Sequence, residues 1–262
     1  MATSNARPGM PNPKSVVAEI SFTKPGAVGA EAAAAPQYRI IRTNEVDAYE
    51  AKPTKTAVAE AMVLEAKKKP KGDTFRGTSR KAAKLSVADA KTEKFSDLAE
   101  VINSFVPDKT MAKKKIPTDA KSNRVEEEKR NINVEAFIYA ASVEDDNDFH
   151  LIIGRDPEAG GAEVYMTMEL SGLPPANAKS HAKLKAARDA FKKFFAKFFQ
   201  NNLPGTSYDF YDPPIRIQVQ GSTFFDASHA KGSKPGPQSL RAKMPTVWEV
   251  HPISKLKLLP PA

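Results

Sequence analysis

Cysteine is absent from the 262 residues of this chain. Disulfide bonds, a thiolate nucleophile, cysteine-ligated zinc and iron–sulfur clusters are therefore excluded. The absence is consistent with a reducing compartment.

Long apolar runs are also missing. No stretch approaches the ~18 consecutive apolar residues that a membrane-spanning helix requires. The segment MATSNARPGMPNPKS (1–15) has no apolar core, and four of positions 8–13 are proline or glycine, unlike a secretory signal peptide. We expect a soluble, cytoplasmic protein that does not use a membrane as a partner.

Established catalytic signatures are missing as well. The chain has no G-x-S-x-G nucleophile elbow, no P-loop and no dinucleotide-binding fingerprint. The sequence therefore leans away from an enzyme, and an enzymatic role stays undecided.

What the chain does have is positive charge, unevenly distributed. The net charge is +9, and residues 1–130 hold 25 Lys or Arg against 17 Asp or Glu, whereas residues 131–262 hold 15 against 14. A basic segment attracts phosphates through a salt-screened field, although a segment that only aids solubility fits equally well. The candidate phosphate contacts are Lys67, Lys68, Lys69, Arg76, Arg80, Lys81, Lys113, Lys114 and Lys115.

The N-terminal half predicts little packed structure. Residues 1–70 are a low-complexity arm, of which 1–37 are rich in Pro, Gly and Ala and default to disorder or loose attachment. Residues 71–123 form a basic, partly ordered accessory segment. The arm is a candidate surface for a protein partner or for self-association. Short elements are predicted within both segments: strands at 38–43 and 82–90, a helix at 56–69, and a helix at 95–105 with Ser96 as its N-cap.

Residues 124–262 show clear hydrophobic periodicity and form the main domain. Strands are predicted at 131–141, 149–153, 162–170, 213–222 and 246–259, the third with Glu163, Tyr165, Thr167 and Glu169 facing outward. Apolar side chains at helical spacing predict a helix at 180–201, with Ser180 as its N-cap. The order β-β-β-α-β-β indicates a mainly β fold, a five-stranded OB-like barrel with one plug helix. A generic α+β sandwich is the alternative.

Three phrases carry a resemblance to a known family. EDDNDFHLII (144–153), GSTFFDASH (221–229) and WEVHPISKL (248–256) are similar to the patterns [ED]-D-x-D-[FY]-H-L-[IV]-I, G-x-x-F-[FY]-D-x-x-H and W-E-[IV]-H-P-[IV]. These patterns are typical of an uncharacterised bacterial family of OB-like domains, which the chain resembles over 124–259 and less clearly over 71–123. The resemblance implies the fold and marks these residues, but it implies no reaction.

The same phrases hold three of the four histidines. In an OB barrel the loops joining strands 1–2 and 4–5 flank the binding surface, so we expect these segments to meet at one end. The candidate ligand or metal-binding residues are Asp148, His150, Asp226, His229, Glu249 and His251, with an acidic loop of Glu144, Asp145 and Asp146. Two histidines with one or two acids suit zinc, manganese or iron, so the cofactor candidate is one divalent metal ion.

Three interpretations of this cluster stay open. It could be a hydrogen-bonded network that closes the barrel end, with Asp226 and Glu249 each orienting a histidine. It could bind a metal or small ligand, or its His–carboxylate pairs could transfer protons. The acidic loop by itself is most simply a solvated hairpin turn.

The sequence therefore favours a non-catalytic binding or assembly module. Nucleic-acid binding through the basic N-terminal half is one alternative, and a metal-assisted hydrolase is the second. The acidic loop and the outward acids predicted on the third strand would repel a phosphate backbone, which argues against the barrel face as a nucleic-acid surface.

Overall fold

The computed structural model describes residues 9–23, 37–47, 72–232 and 234–259. The fold is mainly β: within these residues eight strands form one sheet, with one long and several short helices around it. The strands are β1 (Val16–Thr23), β2 (Gln37–Thr43), β3 (Thr92–Lys94), β4 (Asn131–Val143), β5 (Phe149–Gly154), β6 (Tyr165–Leu170), β7 (Asp209–Phe225) and β8 (Trp248–Leu258). The α-helices are α1 (Lys81–Lys84), α2 (Leu98–Asn103), α3 (Asp108–Met111), α4 (His181–Phe198) and α5 (Gln238–Arg241), and 3-10 turns span Pro13–Ser15, Glu126–Glu128 and His229–Lys231.

Five of the strands pair in a closed ring. β4 pairs with β5, β5 with β6, β6 with β8, β8 with β7, and β7 with β4. Only the β6–β8 contact of this ring is parallel. The start of β8 therefore lies between β6 and the end of β7, close to the turn that joins β4 and β5. These are the five strands that the hydrophobic periodicity predicts.

The long helix supplies an aromatic face to the core. Leu184, Ala187, Phe191, Phe194, Phe195 and Phe198 are all buried, as their helical spacing predicts. Phe191 contacts Phe149 of β5 with ring centroids 4.9 Å apart. Burying each such side chain contributes about 1.5–3 kcal/mol. Ser180 occupies the N-cap position as predicted, but its hydroxyl donates to the carbonyl of Leu85 and makes no capping hydrogen bond.

The N-terminal half adds strands to the same sheet. β2 pairs antiparallel with β7, β1 pairs with β2, and β3 runs parallel to the start of β4. The expectation of disorder or loose attachment is therefore wrong for Val16–Thr23. Phe22 of β1 is buried against Phe199 at a centroid distance of 5.3 Å, which gives this strand an apolar anchor.

Residues 98–111 also pack into the shared core. Leu98, Val101, Phe105 and Met111 belong to the cluster that contains the phenylalanines of α4. Phe105 stacks on Trp248 of β8 with centroids 5.1 Å apart, and the indole Nε1 donates to the carbonyl of Val106 at 2.8 Å. The accessory segment thus contributes apolar side chains to a core that it shares with β4–β8.

Three local predictions are wrong. Residues 82–90 are not a strand, since α1 occupies Lys81–Lys84 and irregular backbone follows it. The short helix expected at 95–105 is present at Leu98–Asn103, but the predicted N-cap is wrong: the N-cap is Asp97, which accepts from the amide of Ala99 at 2.7 Å, and not Ser96.

The third wrong prediction is an outward, solvated face on β6. Tyr165, Thr167 and Glu169 are each at most 3 % exposed. Leu240 and Met244, in and beside α5, cluster with Tyr165 and cover this side of the sheet. The alternation of apolar and polar residues predicted that one face of this strand is exposed to solvent, but both faces are buried.

Several predictions fall outside the described residues, among them the helix at 56–69 and most of the arm proposed to contact a partner. The division of the chain at residues 70 and 123 stays a prediction. No helix in the described part of the chain is both long and apolar enough to cross a bilayer.

Candidate functional site

The candidate site lies where the β4–β5 turn, β6, the end of β7 and the start of β8 meet. His150 on β5 lies directly opposite Glu169 on β6. Glu249 on β8 lies opposite Thr167 of β6 on one side and Phe224 of β7 on the other. Strand pairing, rather than proximity in sequence, brings these side chains together.

One group, which we call the His251 cluster, consists of Asp148, Glu169, Glu249 and His251. All four are buried, with 0–3 % of each exposed. His251 Nε2 lies 3.2 Å from Asp148 Oδ2, while its Nδ1 lies 2.9 Å from Glu169 Oε2 and 3.6 Å from Glu249 Oε2. Asp148 is held in place because its Oδ1 accepts from the amide of Gly172 at 2.6 Å.

Several side-chain nitrogen and oxygen atoms of the His251 cluster, which could serve as metal ligands, lack a hydrogen-bond partner. Asp148 Oδ2, Glu169 Oε2 and both ring nitrogens of His251 are buried, and none has a partner with hydrogen-bond geometry among the described residues. Leaving one such atom unsatisfied costs about 1–3 kcal/mol, and more when the group is charged. One donor atom each from Asp148, Glu169 and His251 lies within 4.8 Å of the others, a spacing that one bound cation can span.

A second group, the His150 cluster, consists of Asp47, Glu144 and His150. His150 is 1 % exposed, and its Nδ1 lies 2.5 Å from Glu144 Oε1 and 3.8 Å from Glu169 Oε1. Asp47 enters from the segment that follows β2. One donor atom from each member of the cluster again lies within 4.8 Å of the others.

The third imidazole is connected to the His150 cluster. His229 Nδ1 pairs with Asp226, and its Nε2 lies 3.0 Å from Asp47 Oδ1. Asp47 also accepts from the amide of Gly236 at 2.9 Å. Shared carboxylates therefore join the three histidines in series: Asp47 lies between His229 and His150, and Glu169 lies between His150 and His251.

The carboxylates keep the more accessible histidines protonated. Burial lowers the pKa of His150, but Glu144 outweighs it and the pKa rises to about 10. Burial also opposes protonation of His229, yet Asp226 and Asp47 raise its pKa to about 10. Both side chains are cationic at neutral pH in the absence of another bound cation.

The pKa values of the acids in the His251 cluster shift in opposite directions. Burial raises the pKa of Asp148 to about 7, and burial together with the Glu169 charge raises the pKa of Glu249 to about 7. Burial also acts to raise the pKa of Glu169, but His251 and Lys84 hold it well below its usual range. Glu169 is therefore the acid of this cluster whose pKa is lowered, in contrast to Asp148 and Glu249.

A cavity of about 570 Å³ opens at this end of the ring. One wall is acidic and imidazole-bearing, and consists of Glu144, His150, Glu169, Asp226, His229 and Glu249. Another part of the lining comes from the accessory segment and includes Arg80, Lys84 and the run Met111–Ile116. Asp148 and His251 are not among the described residues that line the cavity. The cavity therefore meets the His150 cluster directly and the His251 cluster only through Glu169 and Glu249.

The acidic loop forms the hairpin turn that its sequence predicts. The amide of Glu144 donates to the carbonyl of Asp148 at 3.0 Å, and Asn147 adopts a positive φ of 75°. The loop is less solvated than predicted: Asp146 pairs with Lys84 at 3.0 Å, and Asp145 is the acid of this turn that is exposed.

The candidate phosphate contacts are divided among several environments. Lys67, Lys68 and Lys69 lie outside the described residues, whereas Arg76, Lys113, Lys114 and Lys115 are exposed and Lys81 is half-buried. Arg80 is 2 % exposed, and its guanidinium binds Glu128 through two contacts of 2.6 and 2.7 Å. This pairing makes Arg80 unavailable to an external phosphate.

Sequence reasoning missed two central acids, Glu169 and Asp47. Glu169 alternates regularly with apolar neighbours on its strand, which made it look like a solvent-facing residue. Asp47 lies in a stretch with no local motif, and only the pairing of β2 with β7 brings it near His229. The pattern of apolar and polar residues did not indicate that Glu169 or Asp47 belongs to the site. For Glu169, its position opposite His150 in the β5–β6 hairpin register was the one available signal.

Comparison with known proteins gives no match: neither a family model, nor a curated protein, nor a solved structure is similar to this chain.

Proposed function

We propose that this chain is a metal-binding module in which Asp148, Glu169 and His251 hold one divalent cation inside an OB-like barrel. The observation that carries the proposal is the set of buried atoms of Asp148, Glu169 and His251 that lack an aligned hydrogen-bond partner, with one atom of each residue within 4.8 Å of the others. A buried carboxylate oxygen without an aligned hydrogen bond is unfavourable, and a cation relieves that cost.

The donor set limits the choice of metal. Two carboxylates and one imidazole are hard to borderline ligands, which suit zinc, manganese or iron. Glu249 Oε2, 3.6 Å from His251 Nδ1, is near enough to act as a fourth ligand or to orient the imidazole. The three ligands come from the β4–β5 turn, β6 and β8, so the ring must be folded before they meet.

The barrel itself and its family are parts of the same proposal. The closed ring of β4, β5, β6, β8 and β7, together with the aromatic face of α4 in its core, supports an OB-like barrel with a plug helix. The phrases EDDNDFHLII, GSTFFDASH and WEVHPISKL supply most of the site, which supports the resemblance to the OB-like family.

Purely structural hydrogen bonding is the main competing explanation. An imidazolium between Asp148 and Glu169 would satisfy both acids, and it would need no ion. The separations of 3.2 and 2.9 Å permit this pairing, but the atoms are not aligned for it. The two explanations differ in their response to a chelator.

The test uses the full chain, produced in metal-replete medium and purified without chelator. We expect elemental analysis to find at least one equivalent of zinc, manganese or iron, and we expect EDTA to lower the melting temperature. The near-isosteric variants Asp148→Asn and His251→Gln should lose that ion and the response to EDTA. His181→Gln, which changes the remaining histidine at the start of α4, is the matched control and should behave as the wild type.

Two outcomes oppose the metal. Less than a few tenths of an equivalent in the wild type would remove the proposal. A wild-type melting temperature that EDTA leaves unchanged, together with a lowered melting temperature in His251→Gln, would assign the cluster to a hydrogen-bonded network.

A further inference from the structure

Glu169 presents its two carboxylate oxygens to two different histidines. Its Oε2 lies 2.9 Å from Nδ1 of His251, and its Oε1 lies 3.8 Å from Nδ1 of His150. A carboxylate that serves two separate imidazoles from its two oxygens has the geometry of a bridging ligand. A single cation in the His251 cluster would use only one of them.

The far side of Glu169 carries a second set of donors of the same kind. Asp47, Glu144 and His150 offer two carboxylates and one imidazole, with donor atoms within 4.8 Å of one another. His150 is 1 % exposed, and its Nε2 is buried without a hydrogen-bond partner in the part of the chain that the structure describes. The other ring nitrogen, Nδ1, faces both Glu144 and Glu169, at 2.5 and 3.8 Å, and is the atom that a cation bridged by Glu169 would contact.

The charge of the region points the same way. At this end of the ring the described acids are Asp47, Glu144, Asp146, Asp148, Glu169, Asp226 and Glu249, and the cationic or imidazole groups are Lys84, His150, His229 and His251, with Arg80, Lys113, Lys114 and Lys115 also lining the cavity. Buried carboxylates need a cation or a proton to offset their charge, and one divalent cation can serve two of them at once.

We propose that a second divalent cation binds between Asp47, Glu144 and His150 and shares Glu169 with the first, so that the site is a carboxylate-bridged pair of metal ions. This inference rests on the proposed function, since Glu169 can bridge only if the His251 cluster also holds a cation. Each cation then has one imidazole, one carboxylate that it does not share, and one oxygen of Glu169. Asp47 is an additional ligand on the His150 side, and Glu249 is an additional ligand on the His251 side.

The two positions differ in access. Glu144 and His150 line the cavity of about 570 Å³, whereas Asp148 and His251 do not. The cation beside His150 therefore keeps coordination positions open to the cavity for water or for an oxygen of an anionic ligand. The cation beside His251 is enclosed, so the outer ion should exchange faster and be removed first by a chelator.

The test is a titration of the chelator-stripped full chain with Mn²⁺, read by equilibrium dialysis and by electron paramagnetic resonance. We expect two equivalents to bind, and we expect the six-line signal of isolated Mn²⁺ to be lost at full loading because the bridged ions couple magnetically. Glu144→Gln and Asp47→Asn should each reduce binding from two equivalents to one and restore the six-line signal. Asp145→Asn, in the same turn but exposed, is the matched control and should bind two.

Each outcome decides something different. One equivalent that survives Glu144→Gln but is lost in Asp148→Asn overturns the second site and leaves the proposed function standing. Two equivalents that are unaffected by both Glu144→Gln and Asp47→Asn overturn the assignment to the His150 cluster. Two equivalents without magnetic coupling overturn the bridging role of Glu169. No binding at all overturns the proposed function together with this inference. Circular dichroism of both variants, whose changed side chains are partly exposed, checks that they are folded.

Discussion

Single buried charges determine much of the chemistry of this molecule. Arg80, in the lining of the cavity, and Glu128 are 2 % and 0 % exposed and form a bidentate ion pair. Glu128 is fully engaged, because it also accepts from the amides of Val125 and Phe225, each at 2.9 Å. Arg80 is therefore a structural residue, although its place in a basic segment made it a candidate for phosphate binding.

Replacing Arg80 with leucine should be severely destabilising. The change leaves the Glu128 carboxylate buried without its cation, which costs about 3–5 kcal/mol and lowers the melting temperature by roughly 10 °C in a chain of this size. Thermal unfolding measured by circular dichroism checks this. Arg76→Leu, an exposed position in the same segment, is the control and should stay within about 0.5 kcal/mol of the wild type. A variant of Arg80 that melts with the wild type would mean that the pair contributes nothing.

At the scale of elements, one acid fastens the start of the accessory segment to the long helix. Asp73 accepts from Nε of Arg188 on α4 at 2.9 Å and pairs with Lys192 one turn later. Burial alone would raise the pKa of Asp73, but the bonds from Lys192 and Arg188 lower it below the ordinary value of 3.8. The contribution of this contact to folding is therefore present above pH 3.8 and is lost as the pH falls through the lowered pKa.

Asp73→Asn should cost about 1–2 kcal/mol at pH 7 because two charge-assisted hydrogen bonds become neutral ones. The difference from the wild type should shrink as the pH is lowered through the folded-state pKa, where the wild-type acid also loses its charge. Urea unfolding at several pH values measures it. Asp189→Asn, on the same helix but in an exposed pair with Lys185, should show a much smaller effect. A difference that does not change with pH would exclude charge as its source.

Amphipathic elements were predictable from sequence, and elements that depend on partners were not. The five ring strands and α4 carry their own apolar periodicity, so their positions follow from residue spacing. β1 has little such pattern and exists because β2 is beside it, and α1 lies where alternating residues predicted a strand. The three histidine phrases could be found because their residues are unusual in sequence, whereas Glu169 and Asp47 acquire their roles only from pairing between strands.

At the scale of the whole molecule, the two halves share one core. Phe22, Tyr38, Ile40, Leu98, Val101, Phe105 and Met111 all pack in the cluster formed mainly by β4–β8 and α4. The N-terminal half also supplies Asp47 and one wall of the cavity. The basic half of the chain is therefore part of the site.

We predict that residues 124–262 alone do not form a stable fold. Their separation from the rest exposes the core face that these seven side chains cover, and each large apolar side chain lost contributes about 1.5–3 kcal/mol. Expression of this fragment, followed by circular dichroism and limited proteolysis, tests the expectation. Cooperative unfolding of the fragment within a few degrees of the full chain would show instead that the C-terminal region is an independent domain.

The stacking of Trp248 on Phe105 gives the molecule an internal optical reporter. Trp248 is the only tryptophan in the chain, is 1 % exposed, and precedes Glu249 directly. Its fluorescence should be blue-shifted while residues 98–111 are docked and should move to longer wavelength when they detach. Emission therefore reports whether residues 98–111 are packed against β8, and it provides a label-free signal with which binding of the proposed cation near Glu249 can be tested.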